Sequence, residues 1–486
     1  MTSPLVLTTP LPAGTLLVTG FQGREEISGL FSYEIDLVAA NTASVPFDQL
    51  IDQPITLTIT MPGGGRRFLN GICSRFSQGD RRGSLTAYQM EVVPFLWRLS
   101  LGSRSQIFQN KSVPDVLRSV LHDVTTDFKI KGTFEPRDYC VQYRESDFNF
   151  ASRLMEEEGI FYFFEHSAGG HTMVVSDDPS SFTSVAAPST VQFSPTPPTR
   201  ADTATVFSWT KTQALRAGRA SLRDYDFEMP DNALQFSEKT PDAVRVGVVT
   251  HHLLLGNDNL ELYDYPGGYA KRYDSINSGG GEDPGALNAV IADGSRTTRL
   301  RMQAEAAHAI IVVARSSCRQ FLPGHLFTLA GHFNGNGKYL LASVTHSAKV
   351  TGDPSDATQS TVDYHNGFAC MPLGLPFRPE RNTPRPVVQG SQTAFVVGPA
   401  GTQVFTDKYG RVKVQFHWDR EGHSDANSSC WIRVAALHAG SKGGFVPSPR
   451  IGQEVVVDFL EGDPDQPIIV GSVYNARNPP PTPGGG

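Results

Sequence analysis

Residues 406–475 read TDKYGRVKVQFHWDREGHSDANSSCWIRVAALHAGSKGGFVPSPRIGQEVVVDFLEGDPDQPIIVGSVYN. Val412, Val414, Phe416 and Trp418 alternate with Arg411, Lys413, Gln415 and His417. Alternation of this kind predicts a strand with one dry face and one wet face. Asp407-Lys408-Tyr409-Gly410 before it is a turn, with Gly410 free to take a positive φ. Trp431 to Val434 predicts a second strand. Glu454 to Phe459 predicts a third, with Val455, Val457 and Phe459 on one face, and Pro467 to Tyr474 a last one after the turn at Gly462-Asp463-Pro464-Asp465. Short strands separated by Gly/Pro turns predict a small closed barrel of the OB type.

Outward from this stretch, the 486 residues allow about three domains and a sizeable core. Gly 46 and Pro 34 favour a turn-rich β protein over a helical bundle. The net charge of −7, with no basic block, argues against nucleic acid. The five cysteines have no metal-ligand spacing, so zinc is not expected and buried thiols are. There is no Lys or Arg before Arg24 and no apolar run of membrane-spanning length, so neither a signal peptide nor stable membrane insertion is expected.

Phe31, Tyr33, Ile35 and Leu37 alternate with polar residues, as do Ile55, Leu57 and Ile59, and Pro62 to Gly65 turns the chain. With strands at 68–75 and 85–94, the first hundred residues read as a barrel or curled sheet. Ser112 caps a helix with Pro114 in its first turn and Val116, Leu117, Val120 and Leu121 inward. Ser146 caps a second, with Phe150, Leu154 and Met155 inward and Gly159 ending it. Ile160 to Phe164 is an apolar strand. Residues 177–202 are rich in Ser, Pro and Thr and read as a connector, 278–285 as a flexible loop, and 296–309 as a helix. Asn334-Gly335-Asn336-Gly337 is a hairpin signal. A stiff Pro-rich strap, 372–386, leads into the barrel.

The runs KYGRVKVQFHWDREG, SSCWIRVA and GGFVPSPRIGQEVVVDFLEGDPDQPIIVGSVYNARNPPP resemble the OB domain of the VgrG family, the spike proteins of type VI secretion systems. FSYEIDLVAA, QYRESDFNFASRLMEEEGIFYFFEH and SSCRQFLPGHLFTLAGH carry the same resemblance through residues 1–475. It implies a mainly β protein with a few helices: two phage-hub-like β-barrel domains, 1–176 and 177–380, then a linker and OB barrel, 381–476, and a Pro/Gly-rich tail, 477–486. It also implies a homotrimer seated on the hexameric Hcp tube, contacts with baseplate proteins, and carriage of effectors or adaptor proteins. The spike would be assembled in the bacterial cytoplasm and exported through the machine. The family's β-helix needle is absent after Asn475, which suggests a cut-back chain or a variant, and a PAAR tip protein is not expected to seat in the usual way. A contractile phage tail hub is the near alternative.

No catalytic, cofactor-binding or metal residues are expected. The sequence has no G-x-S-x-G, H-E-x-x-H or G-x-x-x-x-G-K-[ST]. Glu156-Glu157-Glu158 stands at a helix C-terminus, where the dipole opposes carboxylates. The plain reading is a solvated helix end; the rival is a cell-wall hydrolase using these or Glu165. Gly440 to Gly444 reads as a loop, not a phosphate cradle. His325, His332 and His346 match no metal template and read as barrel-mouth or polar-face residues. Arg296, Arg299 and Arg301 read as a solvated face, or as one meeting a neighbouring subunit. A glycan-binding use of the barrel is the third class.

Overall fold

A computed structural model describes residues 5–61, 64–197, 204–352 and 360–481. Pro62 and Gly63 of the first turn, the end of the 177–202 connector, and Thr482 to Gly486 of the tail lie outside the described residues. Among the described residues the fold is mainly β, with a hub sheet, an OB barrel and three α-helices.

Among the described residues, thirteen strands form one continuous hub sheet. Its first six, Leu5–Thr8, Pro54–Thr60, Arg66–Arg82, Leu85–Val93, Ser32–Ala40 and Leu17–Glu26, form a curl over a core of Phe21, Phe31, Tyr33, Ile35 and Leu57. Leu17–Glu26 then pairs antiparallel with Gly337–Thr351, from Gly20 opposite Lys349 to Glu26 opposite Ser343. From there the order runs through Thr361–Pro372, Ile310–Ser316, Thr205–Gln213, Thr190–Phe193 and His325–Ala330. His325–Ala330 pairs back onto Gly337–Thr351, which closes this second part into a ring. Closure removes the unpaired edges that a strand would otherwise offer. Phe321, Phe327, Tyr339 and Phe368 fill the ring.

The hairpin into Gly337–Thr351 forms, but the positive φ falls on Gly331, at 79°, rather than within Asn334 to Gly337. The 177–202 connector contains two short strands, Thr183–Ser184 and Thr190–Phe193, which add to the ring. The 278–285 loop is held rather than free: Asn277 Oδ1 accepts from the N–H groups of Gly279 and Gly281.

Helix α1, Val113–Val120, is capped by Ser112 Oγ accepting from Asp115 N–H at 3.3 Å. Helix α2, Asp147–Glu158, is capped by Ser146 Oγ accepting from Asn149 N–H at 3.1 Å. It ends at Gly159, with φ 66°. A Cβ on Gly159 would sit 2.6 Å from Leu300 Cδ2 and 3.1 Å from Arg378 Cδ. Both obstacles are flexible side-chain atoms, so the left-handed backbone sets most of the cost. Gly159→Ala is expected to lose about 1–2 kcal/mol, read as a shift of the urea midpoint. Helix α3, Asn288–Ala307, begins eight residues before the predicted start.

The barrel sheet runs Lys413–Phe416, Gln392–Val397, Glu454–Phe459, Pro467–Val473, Arg433–Val434. Val412 and Ile432 exchange backbone hydrogen bonds of 3.0 and 2.8 Å, which bridges its two ends and closes the barrel. Val412, Val414, Phe416, Val455 and Val457 line its core as expected. The other face is not wet throughout. Arg411 and Lys413 are 2% and 1% exposed. Tyr139 and Val141, from the hub strand Arg137–Glu145, complete the same core.

Candidate functional site

The place where hub and barrel meet is built from charge. The acidic triplet is not a solvated helix end: Glu157 and Glu158 are 3% and 5% exposed. The helix dipole is unfavourable there, so something stronger must hold them. Arg137, from the adjacent strand, donates to Glu157 Oε2 at 3.0 Å and also to Glu158 Oε1. Arg272 lies 3.3 Å from Glu158 and 2.7 Å from Asp293 of α3. Arg296 of α3 pairs with Glu158 and donates to its backbone carbonyl at 3.0 Å. Arg385 of the strap reaches Glu157 Oε1 at 2.6 Å. Burial alone would push both carboxyls up; the guanidiniums outweigh it, Arg137 first for Glu158, which is held at about 2, and Arg385 first for Glu157, held well below the usual range. Carboxylates clamped in this way stay ionised at neutral pH and are poorly suited to give up a proton as a general acid.

Arg296 is therefore part of the cluster and not a solvated residue, whereas Arg299 is exposed. The strap threads through the same region. Thr383 N–H and Oγ donate to the two oxygens of Glu156 at 2.9 and 2.7 Å. Arg378 donates to the carbonyls of Gly159 and Asp177 at 3.1 and 2.7 Å. Val388 N–H then donates to Gly462 O in the barrel at 2.8 Å. On the barrel side, Arg411 grips Asp274 through two hydrogen bonds of 2.5 and 2.9 Å and Asp407 through a third of 2.5 Å. Its guanidinium also lies 5.1 Å from the Phe227 ring. Lys413 donates to Ala426 O at 2.8 Å and sits 5.0 Å from the Trp431 ring. These partners explain how the predicted wet face buries two cations. Asp465 accepts from Val141 N–H of the hub at 2.6 Å; burial, with Asp463 beside it, pushes its carboxyl up to about 7.

The three singled-out histidines are all buried, and the structure does not bring them together. His325 Nδ1 donates to Pro323 O at 3.1 Å, and His332 Nδ1 accepts from Gly335 N–H at 2.8 Å. His346 Nε2 meets Glu25 Oε1 at 2.7 Å, while Nδ1 meets the Tyr364 hydroxyl at 2.7 Å. Arg67 also reaches Glu25, at 2.9 Å. Burial raises the Glu25 carboxyl, but the His346 hydrogen bond and Arg67 bring it down to about 2. This polar cluster had no signal in the sequence, since its members lie on four strands far apart in the chain. Among the described residues, no group of His, Cys, Asp and Glu is arranged to hold a metal ion. Glu165 sits on the strand Phe161–Ser167, opposite Thr172. Gly440 and Gly443 pair as the tip of an exposed two-stranded hairpin. All five cysteines are buried and free. No helix among the described residues is long and apolar enough to cross a membrane.

A hub sheet closed into a ring, joined through buried ion pairs to an OB barrel, defines the class: a baseplate-hub and injector-barrel protein. Residues 24–352 match the phage tail baseplate hub (GPD) family, and residues 402–474 match the type VI secretion system/phage-baseplate injector OB domain. The chain belongs to the VgrG family of type VI secretion system spike proteins, itself related to the phage baseplate hub. It is 39% identical over 477 residues to the spike protein VgrG1c of Pseudomonas aeruginosa, covering 96% of this chain and 61% of that protein. It is 38% identical to VgrG1a of the same organism, covering 96% and 69%. The actin cross-linking toxin VgrG1 of Vibrio cholerae is 33% identical, with 96% of this chain and 41% of the toxin covered. The chain thus spans about three fifths of the length of VgrG1c. An E. coli protein, described as a type VI secretion component with structural similarity to T4 bacteriophage tail proteins, shares the fold. Its TM-score is 0.64 at 20% identity, covering 96% of this chain and 99% of that one.

Proposed function

We propose that this chain acts as the hub and barrel of a trimeric spike, seated on the Hcp tube of a type VI secretion machine and helping to deliver effectors through a target envelope. The reading rests above all on one observation: a baseplate-hub match and an injector OB match follow each other in a single chain, in that order. In it, residues 1–176 and 177–380 are the two hub-like units, 381–476 the strap and barrel, and 477–486 the tail. Three chains each presenting two hub units would offer six similar faces to a hexameric tube, with the closed symmetry an axial part needs. The spike is assembled in the cytoplasm and leaves with the tube. The task is mechanical, and no catalytic residue is assigned. Closed barrels and a desolvated ionic junction suit a part that must pass axial force from hub to barrel without local unfolding.

The test is light scattering of the purified chain, then cross-linking with purified Hcp. The expected result is a mass three times that of one chain and a cross-linked product with Hcp hexamers. A stable monomer at high concentration counts against the trimer. A trimer that ignores Hcp favours a phage tail hub instead.

A further inference from the structure

The hairpin whose strands are Ala439–Gly440 and Gly443–Gly444 stands clear of the barrel that carries it. Every residue from Leu437 to Val446 is exposed, and Leu437 is 96% exposed. Phe445 and Val446 add two more large apolar side chains. Single exposed apolar residues are ordinary. A two-stranded hairpin with three of them and no core of its own is marginal in water, so it needs a surface to lie on.

The barrel has a surface to match. Pro467–Val473 pairs with Glu454–Phe459 along one side. On its other side, Arg433–Val434 covers only Ile468 and Ile469. Ala435 N–H makes a last bond to Ile469 O at 2.8 Å, and the chain then leaves for the hairpin. Among the described residues, no strand covers Val470 to Val473 on that side. An open edge of this kind is a template for another segment. Val470, Val473 and Tyr474 stand exposed along it. The chain's own hairpin does not cover them, since hairpin and edge are both exposed.

Charge also matches the two surfaces. Residues 435–452 carry Lys442 and Arg450 and no Asp or Glu. Residues 453–475 carry Glu454, Asp458, Glu461, Asp463 and Asp465 and no Lys or Arg. Lys442, Arg450, Asp458 and Glu461 are exposed, and among the described residues none of the four forms an ion pair. A basic apolar hairpin and an acidic apolar edge are complementary, and every copy of the chain carries both.

We propose that the hairpin 437–446 of each copy lies along the open edge 470–474 of the next copy's barrel. Leu437, Phe445 and Val446 then cover Val470, Val473 and Tyr474, and the hairpin's cations face the carboxylates of the neighbouring barrel. This rests on the trimer reading and names the surfaces that make it. The two surfaces differ, so the contact runs head to tail. Three such contacts close a ring in which each hairpin and each edge is used once.

The experiment is sedimentation velocity of the full chain over a concentration series at pH 7.5, with far-UV circular dichroism to show that each variant is folded. The wild type is expected to be a trimer. Leu437→Ser/Phe445→Ser alters only the hairpin, and Val470→Lys/Val473→Lys only the edge. Each should weaken assembly about tenfold or more. Mixed together, the two variants bring one intact hairpin to one intact edge per pair. The mixture should therefore associate about tenfold more tightly than either variant alone. A head-to-tail contact predicts that rescue, and hairpin against hairpin does not. A trimer that neither variant weakens, or a mixture no tighter than its parts, overturns this inference and leaves the trimer reading standing. A wild type that stays monomeric at every concentration overturns the trimer reading and this inference with it.

Discussion

Arg137→Met is expected to cost about 3–5 kcal/mol, measured as a fall in the urea midpoint at pH 7.5. Arg137 is 5% exposed and serves two carboxylates at once, Glu157 and Glu158. Methionine fills much of the space and removes the charge. What remains is a pair of buried anions at a helix C-terminus, where the dipole also disfavours them. Arg272, Arg296 and Arg385 stay in place, so the cost should not exceed this range. Arg118→Met is the contrast. Its partner Asp115 is 3.0 Å away, but both side chains are more than half exposed, so the loss should stay under about 1 kcal/mol. Adding Glu158→Gln to Arg137→Met should recover part of the loss, because one uncompensated charge is then gone. The pH dependence has a definite sign. Glu158 is held at about 2, below the ordinary 4.5, so its stabilisation is complete above about pH 4.5 and fades as pH falls toward 2. The gap between wild type and Arg137→Met should narrow over that window. Equal costs for Arg137→Met and Arg118→Met would show that the junction is not held by these pairs.

Local structure was legible wherever it depended on neighbours in sequence. Ser112, Ser146 and Gly159 mark helix ends through side-chain and backbone chemistry that acts within four residues, and all three stand where expected. The barrel alternation from Val412 to Phe416 was readable for the same reason. The first eight residues of helix α3 include Asp293-Gly294, a pair unfavourable in a helix interior. Gly294 is instead a close-packing position: a Cβ there would lie 2.3 Å from the Phe236 ring and 2.8 Å from Tyr269. The strand Gln392–Val397 was hidden behind the Pro-rich strap. The seam between Leu17–Glu26 and Gly337–Thr351 joins residues over 300 apart, and no local pattern specifies it. The junction was missed on the same grounds. Three glutamates in a row read as solvated until Arg137, Arg272, Arg296 and Arg385 arrive from separate elements. Arg411 and Lys413 mislead similarly, since Asp274 and Trp431 cannot be anticipated from the strand that carries them. The family resemblance fared better because it rests on order along the chain, which needs no knowledge of who meets whom.

Asp465→Asn should do the opposite of Arg137→Met and stabilise the protein at pH 7.5. Asp465 lies in the barrel turn before Pro467–Val473 and accepts from Val141 N–H of the hub at 2.6 Å. Asparagine keeps that acceptor. What it removes is a charge that burial and the neighbouring Asp463 disfavour, despite Arg153 and Arg385 nearby, so that the carboxyl sits at about 7 against an ordinary 3.8. At pH 7.5 the aspartate is ionised in both folded and unfolded chains, and the folded chain bears the whole desolvation cost. As pH falls from about 7 toward 3.8, the folded carboxyl takes a proton that the unfolded one does not, and wild type gains about 1.4 kcal/mol per pH unit. The advantage of asparagine should therefore be a few kcal/mol at pH 7.5 and close to nothing near pH 4. Urea midpoints for both proteins across that range measure it directly. Destabilisation at pH 7.5 would mean that Arg153 and Arg385 reach Asp465 strongly enough to keep it charged. Asp465 would then add a favourable charge to the barrel side of the junction, beside the pairing of Arg411 with Asp274.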